Sequence, residues 1–277
     1  MKVLIIDRDR LSTQIMQTQL QDIGHEVFVE PAKNNALDML KEQPFHAVIF
    51  DPSPLTDPRP FVLGIRRVLP KGKYPYIMLA THNATTDLCI KAGANDFITK
   101  PIDPDTLAEK MGHADRYAAL FEYLGDFEED FDYHNGVIQK SAFNQLFLSS
   151  IDRADRYGDK TYLIFFVADN YDDIAAAEGA EAADTTFHKM SNCITKLRRH
   201  SDILGQTGRN EYCLMLQRPV HDQEPMEATN RFHDTLQMFD DMTSPAGTTI
   251  NIRIKLVAIP SGEKMAERLF EASAKAA

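Results

Sequence analysis

The chain contains 277 residues, of which 43% are hydrophobic, and its formal net charge is −11. This length predicts two domains of ordinary size with packed cores. A strongly negative charge argues against a nucleic-acid-binding surface, because phosphate contacts need clustered Lys and Arg side chains. The three cysteines, Cys89, Cys193 and Cys213, lack metal-ligand spacing and are expected to be buried thiols. No apolar run reaches about 18 residues, so we expect a cytoplasmic protein without membrane insertion.

Residues 1–124 alternate short apolar segments with amphipathic ones. The predicted strands read KVLIID, EVFVE, HAVIFD, YPYIMLA and DFITK, and a predicted helix follows each of them. Five strand–helix pairs with nearly continuous apolar strands indicate a parallel sheet that helices cover on both faces. Ligands of such sheets bind beyond the carboxyl ends of the strands, where this pattern places Asp7, Asp51, Ala80 and Lys100.

The second half of the chain follows a different pattern. Residues 125–136 are acidic and rich in turn residues, so they are predicted to join a domain at 1–124 to a second domain at 137–277. The second domain is predicted to contain a helix, the strand TYLIFFVAD, a long helical stretch up to Arg199 and a hairpin. Another helix, the strand TTINIRIKLVAI and a short final helix complete a mixed α/β domain with antiparallel pairs at its centre.

The first pattern resembles the receiver domain of bacterial two-component response regulators. Asp51, at the end of the third strand, corresponds to the family's phospho-accepting aspartate, and Asp7 to the first member of its acidic pair. Lys100 in ITKP matches the lysine that contacts the acyl phosphate, and Pro101 matches the usual cis-proline. The resemblance implies an α/β, flavodoxin-like (βα)5 doubly wound fold, phosphorelay signalling and a histidine kinase as a partner.

Two departures from the receiver pattern weaken the implied magnesium site. Arg8 replaces the second acid of the pair, and the switch hydroxyl is displaced, with Ala80 in its place and Thr81 one residue later. Magnesium prefers hard oxygen ligands, so Asp7 and Asp51 are expected to bind it only weakly. Arg8 is expected instead to pair with Asp51 or Asp7 and to mimic a bound cation. Two hypotheses stay open: a weakly phosphorylated receiver, and a pseudo-receiver that serves for docking or dimerisation.

The second pattern resembles the GGDEF domain of diguanylate cyclases, which join two GTP molecules into cyclic di-GMP. The segment SDILGQTGRNEYCLML aligns without gaps to the signature hairpin of that family. Gly208, Arg209, Asn210, Glu211 and Tyr212 then stand where the family has Gly-Gly-Asp/Glu-Glu-Phe. The resemblance implies a mixed α/β fold of the GGDEF type, like that of nucleotidyl cyclases.

Four departures from the GGDEF pattern affect the implied catalytic site. The family holds two divalent ions with an Asp on the first strand and an acid in the signature, and these places are taken by Val167 and Asn210. Arg209 replaces the glycine that lets the backbone approach the nucleotide, and Ala175 replaces an Asn that reads guanine, although Asp184 remains at the second base-reading position. Because phosphoryl transfer depends on the metal ions, the domain is expected to be a degenerate, inactive cyclase without a bound metal.

An Arg-x-x-Asp pair precedes the signature. Arg199 and Asp202 have the spacing of the family's inhibitory site, which binds the product cyclic di-GMP. An Arg side chain grips phosphate or the guanine edge with a planar fork, and an Asp accepts hydrogen bonds from the guanine N1–H and N2–H groups. Arg231 lies near the place of a further family arginine, and Arg198 is an alternative neighbour. The competing interpretation of Arg199 and Asp202 is a surface ion pair.

The expected function is that of a non-catalytic response regulator that senses cyclic di-GMP and signals to a downstream protein. A homodimer is expected, and no cofactor is expected to be required. Two alternatives remain open. One is a nucleotide-free scaffold or adaptor, for example at a cell pole, and the other is a residual diguanylate cyclase.

Overall fold

The computed structural model describes residues 1–70, 73–83, 85–239 and 242–270, and the chain divides into two compact units. The first unit is assembled from three segments, Met1–Tyr123, Ser150–Asp159 and Pro260–Gly262. The second unit is assembled from Leu124–Ser149, Lys160–Ile259 and the chain from Glu263 onward.

A five-stranded parallel sheet forms the centre of the first unit. Its strands are β1 (Lys2–Ile6), β2 (Glu26–Val29), β3 (Ala47–Phe50), β4 (Tyr76–Thr81) and β5 (Asp96–Thr99). They lie in the order β2-β1-β3-β4-β5, and every neighbouring pair is parallel. The predicted flavodoxin-like, doubly wound arrangement is confirmed.

Five helices connect and cover these strands: α1 (Arg10–Asp22), α2 (Lys33–Glu42), α3 (Arg59–Val68), α4 (Thr86–Ala92) and α5 (Pro104–Gly125). Three of them begin at side-chain caps, which satisfy backbone N–H groups that the helix itself cannot bond, and at α5 the cap is Asp103, whose carboxylate accepts from the Thr106 N–H. The Asp9 carboxylate accepts from the Leu11 N–H, and the Thr85 hydroxyl accepts from the Leu88 N–H. The cap at Asp9 commits a carboxylate that lies near the carboxyl end of β1.

The central strands are apolar on both faces, as the near-continuous hydrophobic runs predict. Leu4 and Ile5 of β1, and Ile49 and Phe50 of β3, are all fully buried. Helices on both sides of the sheet account for this burial. Since the strands are parallel, the residues that follow β1, β3 and β5 meet at one edge of the sheet.

A six-stranded mixed sheet forms the centre of the second unit. Its strands are β6 (Val137–Ile138), β7 (Thr161–Ala168), β8 (Ile203–Gly208), β9 (Glu211–Gln217), β10 (Ile252–Ile259) and β11 (Lys264–Phe270), in the order β11-β10-β7-β9-β8-β6. Its helices are α7 (Tyr171–Glu178), α8 (Ala180–Leu197), α9 (Glu224–Met238) and the first part of α6 (Lys140–Tyr157), whose residues from Ser150 onward belong to the first unit. All pairs are antiparallel except that of β6 with β8. The predicted mixed α/β domain with antiparallel pairs at its centre is confirmed.

Aromatic side chains fill the core between this sheet and its helices. Phe166 of β7 meets Phe232 of α9 edge to face, with ring centroids 5.3 Å apart. Phe187 of α8 stacks on Tyr212 of β9, with centroids 4.2 Å apart and the planes 7° from parallel. These four rings are almost completely buried, so the aromatic contacts fix α8 and α9 against the sheet.

Two of the predicted elements differ from the structure. The predicted final helix is wrong over Lys264–Phe270, which forms the edge strand β11; residues 271–277 lie outside the described residues. The strand forms because its backbone pairs with β10, while Met265 and Ala266 pack against the core. The helical stretch up to Arg199 is divided at Gly179, whose φ of 94° only glycine adopts readily.

None of the helices in the described part of the chain is both long and apolar enough to cross a membrane. Helix α5, with 22 residues, carries charged side chains along its length, among them Asp105, Lys110 and Arg116.

Candidate functional site

A buried cluster of charges lies where β1, β3 and β5 end. The Lys100 ammonium is 2.8 Å from Asp7 Oδ2 and 2.5 Å from Asp51 Oδ2. The Lys100 and Asp7 side chains are only 2% and 1% exposed, and that of Asp51 is 15% exposed. The parallel topology brings these three residues together, as the sequence pattern led us to expect. The Lys100–Pro101 peptide is cis.

The charged forms of Asp51 and Lys100 support each other. Burial alone would raise the pKa of Asp51, but hydrogen bonds from Lys100 and from the Ser53 N–H lower it below its ordinary value. Burial alone would lower the pKa of Lys100, but its hydrogen bonds to Asp51 and Asp7 raise it. Both groups are therefore ionised at neutral pH, and Asp51 is present as a carboxylate, the form that can act as a nucleophile.

The predicted pairing of Arg8 with Asp51 or Asp7 is wrong. Arg8 is exposed, and no ion pair or hydrogen bond of its side chain is found in the described part of the chain. The alternation of side chains along an extended segment explains this, because Asp7 points into the protein and its neighbour Arg8 points out. Thr81 is half-buried at the end of β4, and its backbone carbonyl accepts a hydrogen bond from the Lys100 N–H.

Another cation reaches this edge, and sequence reasoning missed it. Lys33, the first residue of α2, donates from its ammonium to the Ser53 carbonyl oxygen at 2.8 Å. The Ser53 N–H in turn donates to Asp51 Oδ1 at 2.7 Å. No pattern within α2 marks Lys33 as special, because a lysine at a helix start looks like a solvated surface residue.

The oxygen donors of this edge do not fit a divalent cation. Lys100 bonds the carboxylates of Asp7 and Asp51, while Lys33 bonds the nearby carbonyl of Ser53. Asp9 is held by the Leu11 N–H at 3.0 Å and the Ser12 hydroxyl at 2.6 Å. Across residues 1–70, 73–83, 85–239 and 242–270, no three His, Cys, Asp or Glu side chains are arranged to hold a metal ion.

In the second unit, the segment Gly208–Tyr212 forms the turn between β8 and β9 and the start of β9. Asn210 bonds this turn to β7 through two hydrogen bonds. Its side-chain amide donates to the Ala168 carbonyl at 3.0 Å, and its backbone carbonyl accepts from the Ala168 N–H at 2.8 Å. The Glu211 carboxylate accepts from the Thr207 hydroxyl at 2.6 Å. Asn210 and Glu211 thus bond neighbouring strands of the same sheet.

Arg209 and Asp184 meet through a tyrosine. The Arg209 guanidinium lies 5.2 Å from the centre of the Tyr171 ring and donates to its hydroxyl at 3.3 Å. The Tyr171 hydroxyl donates to the Asp184 carboxylate. Burial and the bond to Asp184 raise the pKa of Tyr171, although Arg209 opposes the shift. Ala175 lies on α7, in the helix that supplies Tyr171.

Two histidines form a further cluster that the sequence did not reveal. Nε2 of His134 and Nδ1 of His188 lie 3.3 and 3.2 Å from the hydroxyl oxygen of the buried Tyr212. The two imidazole rings meet edge to face, with centroids 4.5 Å apart. They line a cavity of about 610 Å³ together with Asp184, Arg209 and the acidic segment 128–132. The cavity wall carries five carboxylates against one guanidinium.

The predicted Arg-x-x-Asp pair is fixed at the approach to β8. The Arg199 N–H donates to Asp202 Oδ2 at 3.1 Å, and Asp202 is 6% exposed. Burial raises the pKa of Asp202, although the nearby Arg199 and Arg198 oppose the shift. The Arg198 guanidinium donates to the backbone carbonyls of Asp202 and Arg199. The structure thus brings Arg198, Arg199 and Asp202 together.

The Arg199 guanidinium already has an acidic partner. It is 52% exposed and forms an ion pair with Glu224, the first residue of α9. Arg231 lies further along α9, where its guanidinium is 5.6 Å from the centre of the Phe232 ring. No hydrogen bond or ion pair between Arg231 and the Arg199–Asp202 group is found in the described part of the chain. Glu224 is the residue of this site that sequence reasoning missed.

Comparison with known proteins assigns both halves of the chain. Residues 130–277 match the family model described as "Diguanylate cyclase, GGDEF domain", and residues 3–112 match that of the response regulator receiver domain. An uncharacterized 14.6 kDa protein of Leptolyngbya boryana is 30% identical over 107 residues, which are 38% of this chain and 82% of that protein.

Solved structures resemble each part of the chain separately. The chemotaxis response regulator CheY4 of Vibrio cholerae is 25% identical with a TM-score of 0.37, and the match covers 41% of this chain and 97% of that one. A GGDEF domain from Pseudomonas aeruginosa is 16% identical with a TM-score of 0.38, over 43% of this chain and 74% of that one. By its matches to the two family models, the chain belongs to the diguanylate cyclase GGDEF-domain family and, with a receiver domain ahead of its GGDEF domain, is a signalling response regulator.

Proposed function

We propose that this response regulator is a non-catalytic effector that binds cyclic di-GMP through Arg199 and Asp202 and signals by protein–protein contact. Arg198 supports the site by holding the backbone of both residues. In this proposal cyclic di-GMP is the ligand, no cofactor is required, and the protein acts as a homodimer on a downstream protein. A histidine kinase is the proposed input to the receiver domain.

The observation that carries the proposal is the preorganised Arg-x-x-Asp pair. The Arg199 N–H holds one carboxylate oxygen of Asp202, so the other oxygen remains to accept from a guanine edge. The half-exposed guanidinium of Arg199 pairs with Glu224 and also acts electrostatically on Asp202, and its planar fork suits a phosphate or the guanine O6 and N7 atoms. A carboxylate that is already fixed loses less conformational entropy on binding than a free side chain does.

The neighbourhood of the signature turn supports the non-catalytic part of the proposal. The Val167 side chain has no ligating atom, and the side-chain amide of Asn210 is bonded to Ala168. The adjacent cavity carries five carboxylates against the Arg209 guanidinium, so it repels a triphosphate rather than attracting one. Both features oppose a reaction that needs two metal-bound nucleotides.

Titration calorimetry with cyclic di-GMP tests the binding site. The wild-type protein is expected to bind the dinucleotide, and Arg199→Ala is expected to weaken binding by at least about tenfold, or 1.4 kcal/mol, through loss of a charge-assisted contact. Lys196→Ala is the matched control, because Lys196 is an exposed cation on the last turn of α8. Absence of binding by the wild type up to about 100 µM would reject the proposal.

The ion pair between Arg199 and Glu224 favours a second candidate, a nucleotide-free scaffold. In that case the arginine serves only to tie α9 to the approach of β8. The two candidates make opposite predictions for Glu224→Gln. Under the effector proposal, removal of a carboxylate that competes with phosphate tightens cyclic di-GMP binding by a few fold, whereas a scaffold shows no binding in either form.

A further inference from the structure

Lys33 joins α2 to the loop that follows the phospho-acceptor strand β3. Its ammonium donates to the Ser53 carbonyl at 2.8 Å, and the N–H of the same residue holds Asp51 Oδ1 at 2.7 Å. The second Asp51 oxygen lies 2.5 Å from Lys100. Asp51 is therefore flanked by two ammonium groups: that of Lys100 contacts it directly, and that of Lys33 is linked to it through Ser53.

The charges of this edge balance without a metal ion. Three cations, Arg8, Lys33 and Lys100, accompany three carboxylates, those of Asp7, Asp9 and Asp51. Lys33 is attracted by Asp51 and Asp7 and repelled by Arg8 and Lys100, so these groups form one electrostatic cluster. A divalent cation added here would meet a neutral site whose oxygen donors are already bonded.

We propose that Lys33 is a built-in cation that replaces the divalent ion at this edge, so that Asp51 accepts a phosphoryl group without metal. The phosphoryl donor belongs to the class of low-molecular-weight acyl phosphates. Transfer converts the singly charged carboxylate into an acyl phosphate with about one further negative charge, which the cluster of Arg8, Lys33 and Lys100 screens.

The transfer step needs no other reactant. One carboxylate oxygen of Asp51 attacks the phosphorus atom of the acyl phosphate and forms a new P–O bond. The P–O bond to the acyl oxygen breaks, and its electron pair leaves with the released carboxylate. No proton is transferred and no group is oxidised or reduced. Lys33 acts as a positioning residue through its charge and its hold on Ser53.

Acetyl phosphate labelling of the full chain, followed by intact-protein mass spectrometry, tests this proposal. Wild-type protein is incubated with acetyl phosphate either in excess chelator or with added Mg²⁺. We expect one phosphoryl group per chain. The labelling rates in the two conditions should agree within about twofold, which is well below the tenfold difference that about 1.4 kcal/mol of activation free energy would produce. Asp51→Asn is expected to remain unlabelled. This comparison of metal conditions needs no variant at Lys33.

Variants of Lys33 separate its charge from its packing. Lys33→Gln keeps the length of the side chain, and we expect it to label about tenfold more slowly in chelator and to recover when Mg²⁺ is added. Lys33→Arg keeps the charge and should label like the wild type. Lys41→Gln is the matched control, since Lys41 lies on the same helix with its side chain 54% exposed. Circular dichroism checks that each variant is folded.

Three results would overturn the proposal. The first is wild-type labelling that requires Mg²⁺, and the second is no labelling of Asp51 in either condition. The third is labelling of folded Lys33→Gln in chelator at the wild-type rate. The outcome is independent of cyclic di-GMP binding, because the nucleotide site lies in the other unit of the chain.

Discussion

At the scale of single residues, the Tyr212 hydroxyl limits how the ring nitrogens of two histidines can donate and accept hydrogen bonds. Burial raises its pKa well above the ordinary value, so it keeps its proton throughout the physiological range. It contacts one ring nitrogen of His134 and one of His188, and a hydroxyl has only one proton to donate. The arrangement is satisfied when one ring nitrogen accepts from the hydroxyl and the other donates to it. The hydroxyl proton therefore needs one unprotonated ring nitrogen as its acceptor.

The stability of the second unit should therefore fall in mild acid. Burial, and then the neighbouring His134, lower the pKa of His188 below its ordinary value of 6.5, although Asp184 opposes the shift. The unfolded chain then binds more protons than the folded chain as the pH passes below 6.5, so the free energy of unfolding decreases. The groups that face His188 are His134, Asp184 and Tyr212, with Arg209 on the same cavity wall.

Urea unfolding of the wild type and of His188→Gln, at about pH 7.5 and about pH 5.5, measures this effect. The wild type should lose more stability between the two pH values than the variant does. His200→Gln serves as a control, because His200 is exposed. Equal pH dependence of the wild type and His188→Gln would show that this histidine does not contribute.

At the scale of elements, strand β8 packs closely against α6 because one of its residues, Gly205, has no side chain. A Cβ atom at Gly205 would lie 2.6 Å from Cδ2 and 2.9 Å from Cβ and Cγ of Phe143. Phe143 is fully buried on α6, so its ring has no free space into which to move. Here glycine serves close packing between a helix and a strand.

Gly205→Ala should consequently destabilise the second unit by about 1–3 kcal/mol, the usual cost of overpacking a core. Chemical denaturation followed by far-ultraviolet circular dichroism measures this loss. Gly125→Ala is the control, since a Cβ there would have no atom within 4 Å. If Gly205→Ala unfolds at the same denaturant concentration as the wild type, then Phe143 can move and the packing is less tight than the distances indicate.

At the scale of the whole molecule, a receiver domain precedes a GGDEF domain whose signature residues contact neighbouring elements of their own domain. Arg209 lies on Tyr171, Asn210 bonds Ala168, and Glu211 bonds Thr207. Each contact gives a side chain of the signature a structural partner. The polar side chains of this turn therefore stabilise the sheet, and the proposed ligand site lies upstream of it.

The whole chain is expected to lack cyclase activity. Incubation with GTP and either Mg²⁺ or Mn²⁺ should release no cyclic di-GMP above the enzyme-free blank, because Val167 and Asn210 cannot anchor the metal ions. Chromatographic detection of the product, with an active cyclase as positive control, makes the measurement. Product that grows in proportion to protein concentration would contradict the proposal and favour a residual cyclase.

Much of the architecture follows from local sequence periodicity. The five apolar strands of the first unit, their alternation with helices and the central antiparallel strands of the second unit were all predicted correctly. Strand β11 was not, because the short segment KMAERLF consists mostly of helix-favouring residues and becomes a strand only through pairing with β10. Pairing of that kind is a property of the assembled sheet.

The sequence by itself determined the fold class, the family of each half, and the meeting of Asp7, Asp51 and Lys100, since parallel strands must end at a common edge. Only the tertiary structure decided which other side chains join the sites. Lys33 reaches Ser53 across 20 residues of chain, and His134 reaches Tyr212 across 78. Such contacts depend on how packed elements orient long side chains, which no spacing in the sequence encodes, and the same reason explains why Glu224, rather than Arg231, meets Arg199.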